Sequence, residues 1–260
     1  MAPSATSATS ATSATFRVWR GDAARGEFRD YATDVSEGMV VLDAVHSIQA
    51  AQANDLAVRW NCKAGKCGSC SAEVNGNPRL MCMTRLNQLD LSKPVTIEPM
   101  RAFPLIRDLV TDVSWNFRAK QGIKKFSPRP ADRPDGTWRM AQVDVERVQE
   151  FRKCIECFLC QDVCHVLRDH QMFDAFVGPR HLVYAAALEM NPLDTHNRTR
   201  ALKQDHGIGY CNITKCCTKV CPEGITITDN AIIPLKERVI DQLYDPIAKV
   251  FRALRGGRHV

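Results

Sequence analysis

The pattern of apolar and polar positions divides the chain into a mixed N-terminal part and a helical C-terminal part. In the first part, short runs alternate between apolar and polar residues, and the turn residues Gly21-Asp22 separate the first two runs. The predicted strands are residues 16–20, 28–31, 80–83 and 95–98. Between them, apolar residues recur at helical spacing over residues 41–48. We therefore expect a mixed sheet with one helix packed across it.

After residue 136 the apolar positions repeat at helical spacing. Residues 143–151 and 181–190 predict helices, and Asn191-Pro192 ends the second of them. A further apolar stripe runs through residues 233–254. A polar, Pro-rich stretch over residues 127–136 marks a boundary or an exposed loop ahead of these helices.

These patterns predict an α+β chain of two domains, which agrees with its length of 260 residues. The expected segments are a disordered tail over residues 1–15, a mixed domain over residues 16–104, a connector over residues 105–135 and a helical domain over residues 136–260. The tail is predicted because residues 4–15 are four Ser-Ala-Thr repeats, which carry no charge and no large apolar side chain.

Composition and charge exclude several classes of function. The formal net charge is +6, which is too small and too dispersed to indicate nucleic-acid binding. No run approaches the roughly 18 consecutive apolar residues of a membrane-spanning helix. Residues 246–260 carry basic side chains and no acid. This stretch is either a surface for anionic lipid headgroups or a solvated helix end.

Cysteine is the unusual component, with twelve residues gathered in tight local groups. Disulfide frameworks suit small secreted domains, whereas this chain is long and its first residues show no secretory signal. Cysteines two or three residues apart favour ligands that converge on a metal centre. We therefore expect a reducing compartment.

The first group of cysteines has the spacing C-x4-C-x2-C, followed by a fourth cysteine eleven residues later. Its members are Cys62, Cys67, Cys70 and Cys82. This spacing is typical of plant-type [2Fe–2S] sites, in which three thiolates from one loop wrap a flat cluster and a neighbouring strand supplies the fourth. A zinc site is the alternative, although zinc more often uses paired C-x2–4-C units.

The second group, over residues 154–164, has the spacing C-x2-C-x2-C-x3-C. This is the bacterial-ferredoxin run, whose fourth cysteine ligates the other cluster of a pair. A partner run follows over residues 211–221, with Thr214 in the second position in place of cysteine. A hydroxyl is a much poorer iron ligand than a thiolate, so one corner of the second cluster has no cysteine.

Exchange of the fourth cysteines assigns the ligands to two sites. The first site takes four thiolates and is predicted to hold a [4Fe–4S] cluster, with ligands Cys154, Cys157, Cys160 and Cys221. The second takes three thiolates and fits a [3Fe–4S] cluster, with ligands Cys164, Cys211 and Cys217. Cys216 is left over, either as a spare thiol or as a substitute for Cys217 in a register that breaks the ferredoxin spacing.

Several stretches of the chain carry a family resemblance. They are Cys67-Gly68-Ser69-Cys70 and residues 97–110, 154–157 and 220–225. The order of the cysteine groups agrees as well, with a plant-type site followed by two cysteine runs that exchange their last ligands and together lack one cysteine. These shared features extend over residues 16–245. This part of the chain resembles the iron–sulfur subunit of succinate dehydrogenase and fumarate reductase, which is part of respiratory complex II.

The resemblance implies a β-grasp plant-type ferredoxin domain followed by an all-helical ferredoxin-like domain. It implies that the chain transfers electrons and has no catalytic residue of its own. Electrons from succinate oxidation would pass from FAD in a flavoprotein subunit through the [2Fe–2S], [4Fe–4S] and [3Fe–4S] clusters to quinone at a membrane anchor. The chain would be peripheral and bound through the anchor to the cytoplasmic face of the inner membrane.

Two departures from the family pattern concern the quinone end. His165 follows Cys164 where many relatives have Pro, and no Trp lies beyond Trp138 to line a quinone pocket. By resemblance to relatives that use menaquinone, we expect electrons to leave through haem b in the anchor.

Three alternatives stay open. Fumarate reductases share these signatures and differ in the direction of turnover. Iron–sulfur subunits of other flavin-linked dehydrogenases often carry Cys-Cys-Gly repeats, whereas Thr218 follows Cys216-Cys217 here. A structural zinc protein would contain zinc without iron or acid-labile sulfide.

Overall fold

The computed structural model describes residues 12–246, with side chains from residue 13 onward. The chain forms two compact units, one ending at Asp112 and the other beginning at Val113. The predicted connector over residues 105–135 is thus divided between the two units.

Within residues 12–112, the first unit contains a five-stranded mixed sheet, one α-helix and a short 3-10 turn at Leu86–Gln88. Its elements are β1 (Thr12–Gly21), β2 (Gly26–Val35), α1 (Val41–Ala51), β3 (Ser71–Val74), β4 (Asn77–Leu80) and β5 (Val95–Glu98). The strand order is β2-β1-β5-β3-β4, and β1 and β5 are parallel while the other pairs are antiparallel. This arrangement confirms the predicted mixed sheet and its helix.

The core of this unit lies between the sheet and α1. Alternate residues of β1, namely Ala14, Phe16 and Val18, are buried, as period-two alternation requires. The buried face of α1 carries Val41, Leu42, Ala44, Val45 and Ile48. Burial of these apolar surfaces stabilises the unit that holds the first group of cysteines.

The first strand begins earlier than the sequence predicts. β1 pairs with β2 from Thr12 onward, and Ala14 is buried. The prediction that residues 12–15 belong to a disordered tail is therefore wrong, because Ala14 shares the inward face of the strand with Phe16. Residues 1–11 lie outside the described part of the chain, so that part of the tail prediction is untested.

Two further strand predictions need correction. The strand expected at residues 80–83 is β4, which ends at Leu80, and the chain then turns through hydrogen bonds from Met83 and Thr84 to the Leu80 carbonyl. The strand β3 was not predicted, because all its side chains are buried and it shows no alternation. A separate two-stranded ribbon, β6 (Leu105–Arg107) and β7 (Val110–Thr111), follows β5.

The regular elements of the second unit are helices within residues 113–246. They are α2 (Ser114–Gln121), α3 (Gln142–Gln149), α4 (Leu159–Asp162), α5 (His165–Arg168), α6 (Gly178–Glu189), α7 (Thr199–Gln204), α8 (Cys216–Lys219) and α9 (Ile233–Leu243). Short 3-10 turns span Glu150–Lys153 and Ile208–Tyr210, and a π-helical turn spans Ile227–Ile232. These helices confirm the predicted helical segment.

One hydrophobic core joins these helices. It includes Leu167, Phe176, Leu182, Leu202 and Leu235, and it reaches the cysteine-bearing loops at Cys160, Cys164 and Cys217. Among the residues that the structure describes, no helix is long and apolar enough to cross a membrane. The basic stretch at the C-terminus falls almost wholly outside the described residues.

Candidate metal centres

The first group of cysteines sits on the loop between α1 and β3 and on the turn after β4. Cys62 is exposed, Cys67 is half-buried, and Cys70 and Cys82 are buried. The loop bends through Lys63, Gly65 and Gly68, all of which have positive φ. A Cβ on Gly65 would lie 2.9 Å from Met83 Sδ, so only glycine fits this close approach without a shift of Met83.

Backbone amides in this loop are directed at cysteine sulfurs. The amides of Ala64 and Lys66 donate to Cys62 Sγ over 3.4 and 3.3 Å. The amide of Cys82 donates to Cys70 Sγ over 3.4 Å. Amide donors of this kind stabilise thiolates and the additional negative charge of a reduced cluster.

Cys67 and Cys70 have opposite tendencies to ionise. Burial disfavours ionisation of Cys67, but hydrogen bonds from the Ser69 side chain and from neighbouring groups outweigh it and lower the pKa of its thiol to about 6. Burial raises the pKa of the Cys70 thiol to about 12. A buried thiol becomes a thiolate when a metal supplies compensating positive charge, so these residues fit a metal centre.

The remaining cysteines lie on two loops with the same local geometry, the first ligand loop (residues 154–164) and the second ligand loop (residues 211–221). Each follows a 3-10 turn. Each contains two residues with positive φ, Glu156 and Phe158 in the first loop and Ile213 and Lys215 in the second. Each then continues into a one-turn helix, α4 or α8. The positive-φ residues and the one-turn helix of the second loop have the same sequence offset from their counterparts in the first loop.

This repeat fixes which positions correspond. Cys211, Cys217 and Cys221 match Cys154, Cys160 and Cys164, and Thr214 matches Cys157. Cys216 matches Leu159, the first residue of the one-turn helix, rather than a cysteine. The backbone therefore favours Cys217 over Cys216 as the counterpart of Cys160.

The structure brings the cysteines together in two small cavities with one member exchanged. The first cavity is lined by Cys154, Cys157, Cys160 and Cys221. The second is lined by Cys164, Cys211 and Cys217, together with Thr214 and Cys216. The last cysteine of each loop thus lines the cavity of the other loop.

Burial raises the pKa of several thiols in each cavity. It raises the pKa of Cys157 to about 12, and those of Cys164 and Cys217 to about 11. It raises the pKa of Cys160 further still. As in the first unit, bound metal would compensate the charge of these thiolates.

The second cavity has a threonine hydroxyl at the position where the first cavity has the thiol of Cys157. Thr214 takes the position of Cys157, and its hydroxyl lies 3.2 Å from Cys216 Sγ. The buried hydroxyl of Thr228 lies 3.5 Å from Cys217 Sγ. The cavity thus offers three matched thiols and one weak ligand.

Within the described residues, no three His, Cys, Asp or Glu side chains converge closely enough to hold one metal ion. Ligands of a single zinc ion lie about 2.3 Å from the metal when they are thiolates. An iron–sulfur cluster separates its cysteine ligands more widely, because several irons and sulfides lie between them.

Sequence reasoning missed one charged residue at the first cavity. Arg180, in the first turn of α6, lines this cavity beside the cysteines and pairs with Glu156 of the first ligand loop. Arg180 is distant in sequence from every cysteine group, so the cysteine spacing carries no signal for it.

Two family models match the two units. A 2Fe-2S iron-sulfur cluster binding domain matches residues 15–118, and a 4Fe-4S dicluster domain matches residues 150–225. These matches support clusters of both kinds in the chain.

Similar proteins span most of the chain. The fumarate reductase iron-sulfur subunit of Mycobacterium tuberculosis (strain CDC 1551 / Oshkosh) is 32% identical over 76% of this chain and 80% of its own length. The succinate dehydrogenase iron-sulfur subunit of Bacillus subtilis (strain 168) is 30% identical over 66% of this chain and 68% of its own length.

A solved structure agrees with these relatives. A chain of the Mycobacterium smegmatis Sdh1 complex in the apo form superimposes with a TM-score of 0.88 and 58% identity, over 92% of this chain and 100% of that chain. The resemblance inferred from the cysteine pattern is confirmed. The chain belongs to the family of succinate dehydrogenase and fumarate reductase iron–sulfur subunits.

Proposed function

We propose that every cysteine of this chain except Cys216 ligates one of three iron–sulfur clusters, and that the chain carries electrons through them within a succinate:quinone oxidoreductase. The observation that carries this proposal is the pair of cavities with exchanged cysteines, one with four thiols and one with three matched thiols. When bound, the clusters supply one-electron transfer, and the chain itself needs no acid, base or nucleophile.

The [2Fe–2S] cluster is assigned to the first unit. Its ligands are Cys62, Cys67, Cys70 and Cys82. The amides that donate to Cys62 and Cys70 hold these sulfurs in place and favour the thiolate form. We propose that this unit, in which α1 packs on a mixed sheet, has the β-grasp plant-type ferredoxin fold.

The two other clusters are assigned to the second unit, which we propose to be ferredoxin-like. The [4Fe–4S] ligands are Cys154, Cys157, Cys160 and Cys221. The [3Fe–4S] ligands are Cys164, Cys211 and Cys217. Thr214 leaves the fourth corner without a thiolate, which favours the cluster that lacks one iron.

The proposed partner subunits are those expected for a member of this family. We propose that electrons enter from FAD in a flavoprotein subunit and leave to a membrane anchor at the cytoplasmic face of the inner membrane. Haem b in the anchor and menaquinone are the proposed acceptors, because this chain lacks Trp beyond Trp138 and has His165 rather than Pro after Cys164.

Fumarate reduction is the second candidate function. It is favoured by the similarity to a fumarate reductase iron-sulfur subunit at 32% identity. The same clusters would then carry electrons in the opposite direction, and the ligand assignments would be unchanged.

Low-temperature EPR of the purified complex tests the ligand assignment. We expect the oxidised complex to show the signal of an odd-iron centre, and reduction to remove it. Cys217→Ser should abolish this signal, whereas the matched variant Cys216→Ser should retain it, because Cys216 occupies the position of Leu159. Loss of the signal in Cys216→Ser with retention in Cys217→Ser would reverse the assignment.

A further inference from the structure

Arg180 is a buried cation at the cavity of the proposed [4Fe–4S] cluster. It is 5% exposed and lines this cavity together with Cys154, Cys157, Cys160 and Cys221. Buried arginines normally have hydrogen-bond partners for all their N–H groups, because desolvating a charged donor without a partner is costly. The hydrogen-bond partners of the Arg180 guanidinium therefore bear on its role at this cavity.

The contacts of Arg180 leave one donor free. One terminal nitrogen of the guanidinium pairs with Glu156 Oε1, and the backbone amide donates to Gln161 Oε1 over 3.2 Å. The guanidinium lies 5.7 Å from the centre of the Tyr184 ring. Its Nε atom, however, is buried and has no hydrogen-bond partner. A buried N–H donor is thus available at a cavity whose other polar lining includes four thiols.

The position of Arg180 in its helix is also unusual. It lies in the first turn of α6, where the helix dipole is positive and acidic side chains are preferred. The helix terminus and the guanidinium therefore add positive potential at the same end of α6. This combination lowers the stability of the helix unless negative charge lies nearby, and a cluster with four thiolate ligands is negatively charged.

We propose that the guanidinium of Arg180 donates its free Nε–H to the [4Fe–4S] cluster or to one of its cysteine sulfurs, and so raises the reduction potential of that cluster. The proposal rests on the ligand set proposed above. Reduction adds one electron to a negatively charged cluster, and a buried cation stabilises the added charge with little solvent screening. The anion Glu156 opposes this effect in part, and Lys120 pairs with the same carboxylate.

Redox titration of the [4Fe–4S] EPR signal in the purified complex tests this role. Arg180→Gln should lower the equilibrium constant for one-electron reduction at least tenfold, which is about 59 mV for a one-electron couple. Arg180→Lys keeps the charge and should restore more than half of this shift. Arg152→Gln is the matched control, because Arg152 lies close to Cys154 in sequence but is exposed to solvent.

The outcomes separate the two proposals. An unchanged midpoint potential in Arg180→Gln, or an equal shift in Arg152→Gln, overturns the role of Arg180. Absence of a [4Fe–4S] signal from the wild-type complex contradicts the ligand set instead. If the Arg180→Gln variant loses its [4Fe–4S] cluster, the Glu156→Gln variant provides the test instead. Removal of the opposing anion should raise the reduction potential of the cluster. An unchanged potential in Glu156→Gln would then overturn the proposal.

Discussion

At the scale of single residues, the proposed difference between the two clusters of the second unit depends on Thr214. The two ligand loops share their backbone geometry, including the positive φ values of Glu156 and Ile213. The backbone around Thr214 is therefore already shaped to present a ligand, and only the side chain differs from Cys157. A thiol at this position should find the geometry that a cubane cluster needs.

Thr214→Cys is expected to convert the odd-iron centre into a [4Fe–4S] cluster with one additional iron per complex. The oxidised-state EPR signal should disappear, and a new signal should appear on reduction, because the fourth corner gains a thiolate. Thr214→Val is the control, since it removes the hydroxyl without adding a ligand and should keep the oxidised signal. Retention of that signal in Thr214→Cys would show that the loop does not present residue 214 to the cluster.

At the scale of elements, the second unit depends on a close approach between α6 and the first ligand loop. Gly178 begins α6 with a φ of +78°, and a Cβ there would lie 2.1 Å from Gln161 Oε1. Gln161 is fully buried, and its amide nitrogen lies within 3.2 Å of polar atoms of Asn116, Val177 and His181. This polar cluster fixes the start of α6, and with it the position of Arg180.

Gly178→Ala should destabilise the second unit by about 2 to 4 kcal/mol, because the new methyl group meets Gln161 and the positive φ is strained. The loss of cluster absorbance on heating the intact complex should shift to lower temperature. Gly209→Ala is the matched control, because a Cβ at Gly209 meets nothing within 4 Å. Equal thermal stability of the two variants would contradict the close approach.

In the first unit, the buried residue Asp108 connects the segment after β5 to the sheet by hydrogen bonds. Asp108 is 2% exposed, and its carboxylate accepts hydrogen bonds from Arg20 Nε at 3.1 Å, from the Gly21 amide at 2.9 Å and from the Ala57 amide at 2.8 Å. One side chain thus joins the end of β1 to the loop that follows α1, which leads to the first cysteines.

Asp108→Asn should cost the first unit about 2 kcal/mol, since it removes one of the two carboxylates that pair with the buried Arg20 guanidinium and leaves the other, Asp55, in place. We expect the [2Fe–2S] signal to be lost at lower temperature than in the wild-type complex. Asp30→Asn breaks an exposed ion pair with Arg17 and should leave that temperature almost unchanged. A larger effect from Asp30→Asn than from Asp108→Asn would count against this account of the first unit.

At the scale of the whole molecule, the sequence predicts the parts that depend on local spacing. The repeated geometry of the two ligand loops follows from cysteine positions alone, because cluster geometry constrains residues a few positions apart. The mixed sheet and α1 follow from hydrophobic periodicity.

The parts that depend on distant contacts could not be predicted. Residues 12–15 join β1 because the partner strand β2 extends to Val35, which the Ser-Ala-Thr repeats do not reveal. The strand β3 is buried on both faces and lacks alternation. Arg180 reaches the first cavity only through the packing of α6 against the first ligand loop.

The central claim is that this chain conducts electrons through its cysteine-held clusters. The most direct test is to add succinate anaerobically to the oxidised, purified complex and to record low-temperature EPR spectra before and after. We expect the odd-iron signal to disappear and a [2Fe–2S] signal to appear as succinate is consumed. Succinate oxidation coupled to quinone reduction by a complex that contains no iron, or with no change in either signal, would contradict it.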